Sequence, residues 1–224
     1  MQNDRYLVTG AAGFIGGHVA ELLLREGKKV RVLVRNASQA DRLKELPALH
    51  APEVVVGDLC KPETLRAAVD GIGGVYHIAA LYRQAGLPES TFFEVNVTGT
   101  KNLLDAAIDA GVERFVHCST GGVLGHIANP PAKETDPYNP GDMYQRSKME
   151  GEKLVLDYFR SGKIRGAVIR PAMVYGPGDT RHHKMFKMIA RGYFFYVGRG
   201  DAWVNFIDVR DLARSFQLAM EHEE

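Results

Sequence analysis

The sequence has little cysteine, no excess of either charge and no long apolar run. Its two cysteines, Cys60 and Cys118, form no Cys-x-x-Cys motif, so they are expected to be buried thiols in a reducing compartment. The formal net charge is +1, and without a basic run neither nucleic acid nor an anionic membrane is expected as a partner. The sequence also lacks the roughly 20 consecutive apolar residues of a membrane span.

The N-terminus and the composition narrow the class of protein further. Residues 1–5 have none of the apolar core of a signal peptide. The chain is 45% hydrophobic and 25% charged, which is ordinary for a soluble globular protein. With 224 residues it can bury about 70% of its unfolded surface without disulfides or metal. We therefore expect a cytoplasmic protein of one large domain, or of one domain with a small lobe.

The first third of the chain begins with a strand, a glycine-rich turn, a helix and a second strand. Residues 6–9 are an apolar run that predicts a strand, and residues 30–34 predict the next one. Between them, residues 15–26 show helical spacing, with apolar side chains at Ile15, Val19, Leu22 and Leu23, and Gly27 is expected to end the helix. This order predicts a βαβ unit.

The glycine-rich turn indicates a binding site for a dinucleotide. Gly10, Gly13 and Gly16 stand at the junction of strand and helix, in the spacing Gly-x-x-Gly-x-x-Gly. Glycines there permit a tight turn and let a pyrophosphate approach the backbone at the helix N-terminus. The alternative is a purely structural glycine turn.

The residue type at the end of the second strand predicts which dinucleotide binds. An acidic residue there binds the ribose 2′-hydroxyl of NAD, whereas an arginine accommodates the 2′-phosphate of NADP. The sequence has Arg35 and Asn36, with Ser38 nearby and no acid. We therefore favour NADP over NAD; a surface arginine that stacks on the adenine is the alternative for Arg35.

Strand and helix patterns alternate along the rest of the chain. Strands are predicted at residues 53–56, 74–78, 114–118, 168–170 and 203–207, and helices at 62–69, 92–110, 144–160, 185–190 and 208–220. This alternation favours an α/β fold, namely a doubly wound, Rossmann-type parallel sheet.

Tyr144 and Lys148 stand four residues apart and share one face of a predicted helix. A phenol has a pKa of about 10, and a nearby cation favours its charged form and lowers that pKa. Such a pair can serve as a general acid/base toward a hydroxyl or carbonyl group. The same spacing also occurs on solvated helix faces, so its meaning depends on the other motifs.

Polar side chains at two other places are candidates for a site. Ser119 and Thr120 follow the fifth predicted strand, and ligands of open α/β sheets bind beyond the carboxyl ends of strands. His77, within an apolar strand, is interpreted as a core residue. His182 and His183 are interpreted as part of a polar loop because the sequence shows no third ligand, so no metal site is predicted.

These motifs occur in one characteristic order that covers nearly the whole chain. They are Thr9-Gly10-x-x-Gly13-x-x-Gly16, Asp58-Leu59, His77-x-Ala79-Ala80, Asn96-Val97-x-Gly99-Thr100, Ser119-Thr120, Tyr144-x-x-x-Lys148, Arg170-Pro171 and Tyr175-Gly176-Pro177. Each motif is weak alone, but together they resemble the extended short-chain dehydrogenase/reductase family.

The resemblance implies three catalytic residues. Tyr144 would be the general acid/base, and Lys148 would hold the nicotinamide ribose and lower the pKa of Tyr144. Thr120 would polarise the substrate oxygen. The family places this hydroxyl five residues before a glycine, here Gly125, which selects Thr120 over Ser119; Ser119 is then interpreted as a backbone cap.

The resemblance also implies the residues that contact the cofactor, NADP in preference to NAD. They are Gly10, Ala12, Gly13, Phe14, Ile15, Gly16, Arg35, Asp58, Leu59, Ala79, Ala80, Asn96, Cys118, Tyr144, Lys148, Pro171 and Val174. Asp58 and Leu59 are expected where the adenine ring rests, and a simple turn aspartate is the alternative for Asp58. Ala79 and Ala80 are small enough for the backbone to lie against the cofactor.

The last third of the chain is similar to the 3β-hydroxysteroid dehydrogenase and dihydroflavonol reductase-like branches of the family. Met173 stands where nucleotide-sugar epimerases and dehydratases usually have an asparagine. The expected function is therefore hydride transfer between a nicotinamide cofactor and an alcohol or ketone. A nucleotide-sugar epimerase or dehydratase is the alternative. A non-catalytic NADP-binding sensor is a further one, although such proteins usually lack the tyrosine or the lysine.

The resemblance implies a domain division and an oligomeric state. Residues 1–170 would form the dinucleotide-binding domain. Residues 171–224 would form a small, incomplete C-terminal substrate lobe, interleaved with the last strand and helix of the sheet, because family members continue beyond this point. Helices 92–110 and 144–160 would pack into the four-helix bundle of a homodimer. The substrate is expected to be a small molecule whose identity the sequence does not reveal.

Overall fold

A parallel sheet of six strands forms the centre of the computed structural model, which describes residues 4–36, 38–39, 43, 51–195, 198–200 and 203–222. The strands are β1 (Arg5–Thr9), β2 (Lys29–Val34), β3 (Glu53–Val56), β4 (Gly74–His77), β5 (Arg114–Cys118) and β6 (Arg165–Ile169). Their order is β3-β2-β1-β4-β5-β6, which reverses direction at β1. This confirms the predicted doubly wound α/β fold, since a reversal of strand order defines the ligand-binding crevice of such sheets.

Helices cover both faces of the sheet. They are α1 (Phe14–Arg25), α2 (Arg66–Val69), α3 (Glu89–Phe93), α4 (Gly99–Asp109), α5 (Met143–Arg160), α6 (His183–Ala190) and α7 (Val209–Glu221), with short 3₁₀ turns at Pro62–Thr64 and Gly121–Leu124. Because side chains alternate along a strand, Val8 packs under α1 and α7 while Leu7 packs under α4 and α5. Two apolar clusters, one on each face, therefore hold the layers together.

The helix predicted over residues 92–110 is present but is not uniformly α-helical. A π-helical segment, Glu94–Thr98, joins α3 to α4, and Gly111 follows α4 with a φ of 74°. A π turn adds one residue to the hydrogen-bonded ring and redirects the side chains within it. The buried side chain of Asn96 lies in this segment.

The C-terminal part of the chain is divided between the main core and a second sheet. Strands β7 (Met173–Tyr175) and β8 (Phe206–Asp208) pair in parallel, so the strand predicted at 203–207 lies farther along the chain. Helix α7 belongs to the main core, where its Phe216 is fully buried. The division at residue 170 stays a prediction.

The described part of the chain has no helix that is both long and apolar enough to cross a membrane.

Candidate active site

A cleft with a volume of about 1060 Å³ lies at the carboxyl ends of the strands. It brings together nearly all of the predicted site residues, from the glycine turn to the loop after β6. Those that line it are Gly10, Ala12, Gly13, Phe14, Ile15, Gly16, Arg35, Asp58, Leu59, Ala79, Ala80, Cys118, Thr120, Tyr144, Lys148, Pro171 and Val174. The exception is Asn96.

The glycine turn packs too tightly for side chains. Gly10 has a φ of 75°, and a Cβ built on it would lie 2.7 Å from the backbone nitrogen of Ala79. A Cβ on Gly16 would meet the carbonyl group of Gly10. Gly13 caps helix α1 without a side chain, and the first turn of α1 has no acidic residue. The turn and the first residues of α1 line the cleft, and the N–H groups of a helix N-terminus suit an anionic phosphate.

Thr9 fixes the edge of the cleft between β1 and β4. Its hydroxyl accepts the backbone N–H groups of Ile78 and Ala79, both at 3.1 Å. Thr9 Oγ1 and Thr100 Oγ1 each lie 2.9 Å from a ring nitrogen of His77, which is buried. The interpretation of His77 as a satisfied core residue is confirmed. The role of Thr9 was not foreseen, although its position directly before the glycine turn was a signal.

The end of the cleft beyond β2 and β3 is polar and open. Arg35 is exposed, and its backbone N–H binds the side chain of Gln39 at 2.8 Å. Asp58 Oδ1 accepts the N–H of Cys60 at 3.0 Å, so the side chain of Asp58 is that of a turn aspartate while the residue also lines the cleft. A ligand in this part of the cleft would meet the cationic Arg35 without displacing a described ion pair.

Tyr144 and Lys148 lie at the other end of the cleft, on helix α5. Asp142 begins this helix by accepting the Gln145 N–H at 2.7 Å, an N-cap that the sequence analysis did not identify. Tyr144 is 8% exposed and Lys148 is 2% exposed. The sequence prediction that both side chains share one helix face is therefore confirmed, and that face is buried rather than solvated.

The pKa of Tyr144 differs from the sequence expectation. Burial raises the pKa of this phenol, and the cation that opposes the increase is Arg83 rather than Lys148. Burial also lowers the pKa of the Lys148 ammonium, whose nitrogen lies 3.5 Å from Nε2 of the buried His117. Desolvation is thus the larger effect on Tyr144 in the protein alone, and the role of Lys148 in lowering this pKa stays a prediction.

The two hydroxyls after β5 have different partners. Ser119 is buried, and its hydroxyl donates to Glu152. Thr120 is half-buried at the cleft wall, and its oxygen accepts the Gly122 N–H at 3.1 Å. The interpretation of Ser119 as the backbone cap was wrong, since Thr120 is the cap. The Thr120 hydroxyl still has its own hydrogen to donate to a ligand.

Glu152 is a residue whose importance the sequence analysis missed. It is fully buried one turn after Lys148, and it accepts hydrogen bonds from Ser119, from the Tyr138 hydroxyl at 2.7 Å and from Arg170. Its place four residues after Lys148, on the same helix face, was the available signal. Glu152 ties three parts of the chain to the helix that carries Tyr144, namely the end of β5, the segment before α5 that contains Tyr138, and the end of β6.

Asn96 is buried and does not line the cleft, so its assignment as a cofactor contact stays a prediction that the geometry does not support. Its side chain oxygen accepts the Leu81 N–H at 2.8 Å, and its nitrogen donates to the Leu81 carbonyl at 3.1 Å and to Ser147 Oγ at 2.9 Å. The π-helical segment turns this amide toward helix α5. Asn96 therefore joins the loop after β4 to the helix of Tyr144.

The remaining predicted residues form the cleft wall between β5 and the second sheet. Burial raises the pKa of the Cys118 thiol to about 11, and the carbonyl of Pro171 accepts the Gly121 N–H at 2.8 Å. Val174 is buried. His182 Nδ1 lies 2.7 Å from an Asp179 carboxylate oxygen, and the absence of a metal there stays a prediction.

Comparison with known proteins agrees with this geometry. The chain belongs to the NAD dependent epimerase/dehydratase family, whose model matches residues 6–224. It is 36% identical to a 3 beta-hydroxysteroid dehydrogenase/Delta 5-->4-isomerase of Mycobacterium tuberculosis, over 97% of this chain and 60% of that protein. The family resemblance read from the motifs is confirmed.

Two solved structures share the fold. The crystal structure of gox2253 superposes with a TM-score of 0.83 at 35% identity, covering 99% of this chain and 68% of that one. A Thermus thermophilus UDP-glucose 4-epimerase in complex with NAD superposes with a TM-score of 0.80 at 30% identity, covering 98% of this chain and 75% of that one. The chain spans about three fifths of the length of the mycobacterial relatives, 60% and 61%.

Proposed function

We propose that this protein is an NAD(P)-dependent oxidoreductase that transfers a hydride between a nicotinamide cofactor and an alcohol or ketone. The observation that carries the proposal is the meeting of Tyr144, Lys148 and Thr120 at one end of a cleft that the glycine turn also lines. The 3 beta-hydroxysteroid dehydrogenase relatives support an alcohol or ketone substrate. The substrate itself would be a small molecule that enters the open side of the cleft.

The residues that line the cleft suit a dinucleotide. Gly10, Gly13 and Gly16 leave room for a pyrophosphate at the N-terminus of α1, and Arg35 and Asp58 lie where the adenosine part would reach. When bound, the nicotinamide supplies the hydride. The Thermus epimerase in complex with NAD supports the assignment of this class of cofactor.

The protein's own groups handle the proton and orient the substrate. Thr120 would donate its hydroxyl hydrogen to the substrate oxygen, which polarises a carbonyl group. Tyr144 would exchange a proton with the same oxygen, donating it in reduction and accepting it in oxidation. Burial keeps the Tyr144 phenol protonated in the protein alone, so it is prepared to act as the acid. Lys148, buried one helical turn after Tyr144, would hold the ribose hydroxyls.

The preference for NADP over NAD rests on Arg35. Its guanidinium stands at the end of β2 and is exposed toward the cleft, where a 2′-phosphate would meet it. The carboxylate of Asp58, which would repel a 2′-phosphate, also lies on this side of the cleft, but its Oδ1 is held in the turn by the Cys60 N–H. An arginine that only stacks on the adenine is the alternative.

Absorbance of the reduced nicotinamide tests the reaction. The full-length gene product is incubated with a panel of alcohols and carbonyl compounds and with each cofactor, and a net change in absorbance is expected for at least one pair. Tyr144→Phe is expected to lower turnover by about a hundredfold to ten-thousandfold while cofactor affinity is retained. Near-normal turnover in this variant would remove Tyr144 from the reaction.

A nucleotide-sugar epimerase or dehydratase is the second candidate function. The similarity to the Thermus UDP-glucose 4-epimerase favours it. Met173, which is 41% exposed at the cleft, argues against it because an amide side chain would be expected there. An epimerase regenerates its cofactor, so interconversion of two sugar nucleotides without net absorbance change would select this function.

We further propose a homodimer located in the cytoplasm. Helix α5 and the helical segment 89–109 pack side by side, and both carry apolar side chains that stay partly exposed, namely Phe93, Val97, Met143 and Met149. Pairing these helices with a second copy would bury them. Light scattering at several concentrations tests this, and a monomeric mass throughout would contradict it.

A further inference from the structure

The loop after β4 brings an arginine against the ring of Tyr144. The guanidinium carbon of Arg83 lies 5.3 Å from the centroid of the Tyr144 ring and 5.5 Å from that of the Tyr82 ring. The two tyrosine rings meet edge to face with their centroids 4.9 Å apart, and Arg83 Nη1 donates to the Tyr82 hydroxyl at 3.1 Å. These three side chains are here called the Arg83 cluster, in which Arg83 and Tyr82 lie against the Tyr144 phenol from outside the helix that carries it.

Asp142 connects the Arg83 cluster to the start of helix α5. Arg83 Nε donates to Asp142 Oδ2 at 2.7 Å, while the other carboxylate oxygen of Asp142 caps the helix at Gln145. One carboxylate thus fixes both the arginine and the first helical turn. The Arg83 and Asp142 side chains are 46% and 38% exposed, so the ion pair contributes little to stability. A contribution to folding therefore does not account for its place beside Tyr144.

We propose that Arg83 is a positioning residue for Tyr144, which holds the phenol ring together with Tyr82 and favours its ionised form. The inference rests on the proposed function, because an ionised phenol is needed only if Tyr144 accepts a proton. A guanidinium near the face of an aromatic ring is attracted to it. The attraction increases when the phenol carries a negative charge.

The other groups that face Tyr144 do not favour its ionised form in the same way. Burial raises the pKa of Tyr144 most, and Cys118 at the end of β5, Tyr82 and Asp142 raise it further, whereas Arg83 lowers it. Lys148, on the same helix, is the second cation nearby. It is buried and lies against His117, and burial lowers its own pKa. Arg83, which lies over the ring, is thus a cation that lowers the pKa of Tyr144.

A measurement at position 144 tests the proposal without relying on turnover. A ring-fluorinated tyrosine placed there by nonsense suppression has a more acidic phenol, and its fluorine NMR signal reports on this site alone. Arg83→Met is expected to lower the acid dissociation constant of this phenol about threefold to tenfold, the effect of a partly exposed cation at this distance. Arg83→Lys should restore part of the loss, because it keeps the charge but not the planar contact.

Arg146→Met is the matched control. Arg146 lies two residues after Tyr144 on the same helix and pairs with Glu89 at the surface, at 3.3 Å. Its removal takes away the same charge without changing the contact with the ring. The acid dissociation constant at position 144 is expected to change less than about twofold, because solvent screens exposed charges.

Turnover provides the second measurement. In Arg83→Met, the limb of the pH profile of kcat that depends on the Tyr144 phenolate should move to higher pH by the same factor, with KM for the cofactor unchanged. An unshifted fluorine titration in Arg83→Met, or an equal shift in Arg146→Met, would overturn the proposal. If the fluorine titration shifts as expected and the wild-type protein turns over no substrate, the effect of Arg83 on Tyr144 stands and the proposed function fails.

Discussion

Glu152 and Arg170 form an ion pair between helix α5 and the end of β6, with Arg170 Nη2 2.5 Å from Glu152 Oε1. The Glu152 side chain is completely buried and that of Arg170 is 17% exposed. Arg170 follows β6 and also donates to the Glu134 carbonyl at 3.0 Å. The pair therefore holds the segment before α5 that contains Glu134, and the end of β6, against the helix of Tyr144. A buried charge that loses its partner is costly, which leads to the first prediction.

Glu152→Ala should destabilise the protein by about 3 kcal/mol, because it leaves the mostly buried Arg170 without its carboxylate. Urea denaturation measures the change in the free energy of unfolding. Glu150→Ala is the control on the same helix, since it breaks an exposed pair with Lys153 and should cost less than about 1 kcal/mol. Equal losses of unfolding free energy in the two variants would show that the buried Glu152–Arg170 pair contributes no more to stability than the exposed Glu150–Lys153 pair.

Thr120→Val should lower kcat by about a hundredfold, as expected when one donor to a reacting oxygen is removed. The affinity for the cofactor, measured by fluorescence titration, should stay the same. Ser119→Ala should act differently, because its hydroxyl is engaged by Glu152. It should mainly reduce the free energy of unfolding, by about 1 kcal/mol. The reverse pattern would assign the polarising hydroxyl to Ser119.

A comparison of Gly10→Ala with Gly27→Ala distinguishes the stability cost of a positive φ from the contribution of the glycine turn to cofactor binding. Both glycines have a φ of 75°, but only a Cβ at Gly10 would meet another residue, the backbone of Ala79. Each substitution should cost about 1 kcal/mol of stability from the positive φ, and Gly10→Ala should cost more because its Cβ would clash with the backbone of Ala79. Gly10→Ala should in addition weaken cofactor binding at least about tenfold, equal to 1.4 kcal/mol. Calorimetric titration checks this, and equal affinities for the two variants would contradict it.

Arg35→Asp should reverse the preference for NADP over NAD, because a carboxylate repels a 2′-phosphate and binds a 2′-hydroxyl. The ratio of the dissociation constants for the two cofactors is the measurement. Arg66→Asp makes the same charge change at an exposed position on α2, outside the cleft, and should leave the ratio unchanged. An unchanged ratio in Arg35→Asp would mean that Arg35 does not contact the 2′-phosphate.

Acid should destabilise the protein through His77. Burial, reinforced by the charge of Lys148, lowers the pKa of His77 from 6.5 to about 3. Between these values the unfolded chain binds a proton that the folded protein excludes, so the stability due to the neutral ring is present above pH 6.5 and is lost as the pH falls toward 3. The expected slope is about 1.4 kcal/mol per pH unit from this residue.

His77→Asn tests this origin of the slope. Asparagine can keep a hydrogen bond to Thr9 or Thr100 but does not titrate in this range. Urea denaturation at several pH values should show a lower stability at neutral pH and a slope reduced by about 1.4 kcal/mol per pH unit. A slope identical to that of the wild type would show that His77 does not titrate on unfolding.

Local patterns in the sequence were enough to identify most of the fold and of the cleft. The alternation of strands and helices determined the sheet, because the periodicity of apolar residues reports directly on which face each element buries. The glycine turn and the Tyr144–Lys148 spacing were likewise readable, since a tight turn and a shared helix face each depend on a few neighbouring residues.

Only the tertiary structure decided how distant side chains share partners. It assigned Ser119 to Glu152, turned Asn96 toward Leu81, and placed Arg83 over the ring of Tyr144, each through contacts between residues far apart in the sequence. It also decided the sign of the pKa change at Tyr144. Burial raises this pKa, whereas the spacing of Tyr144 and Lys148 alone predicts a decrease. Desolvation depends on all the atoms packed around a group, and no local pattern of residues contains that information.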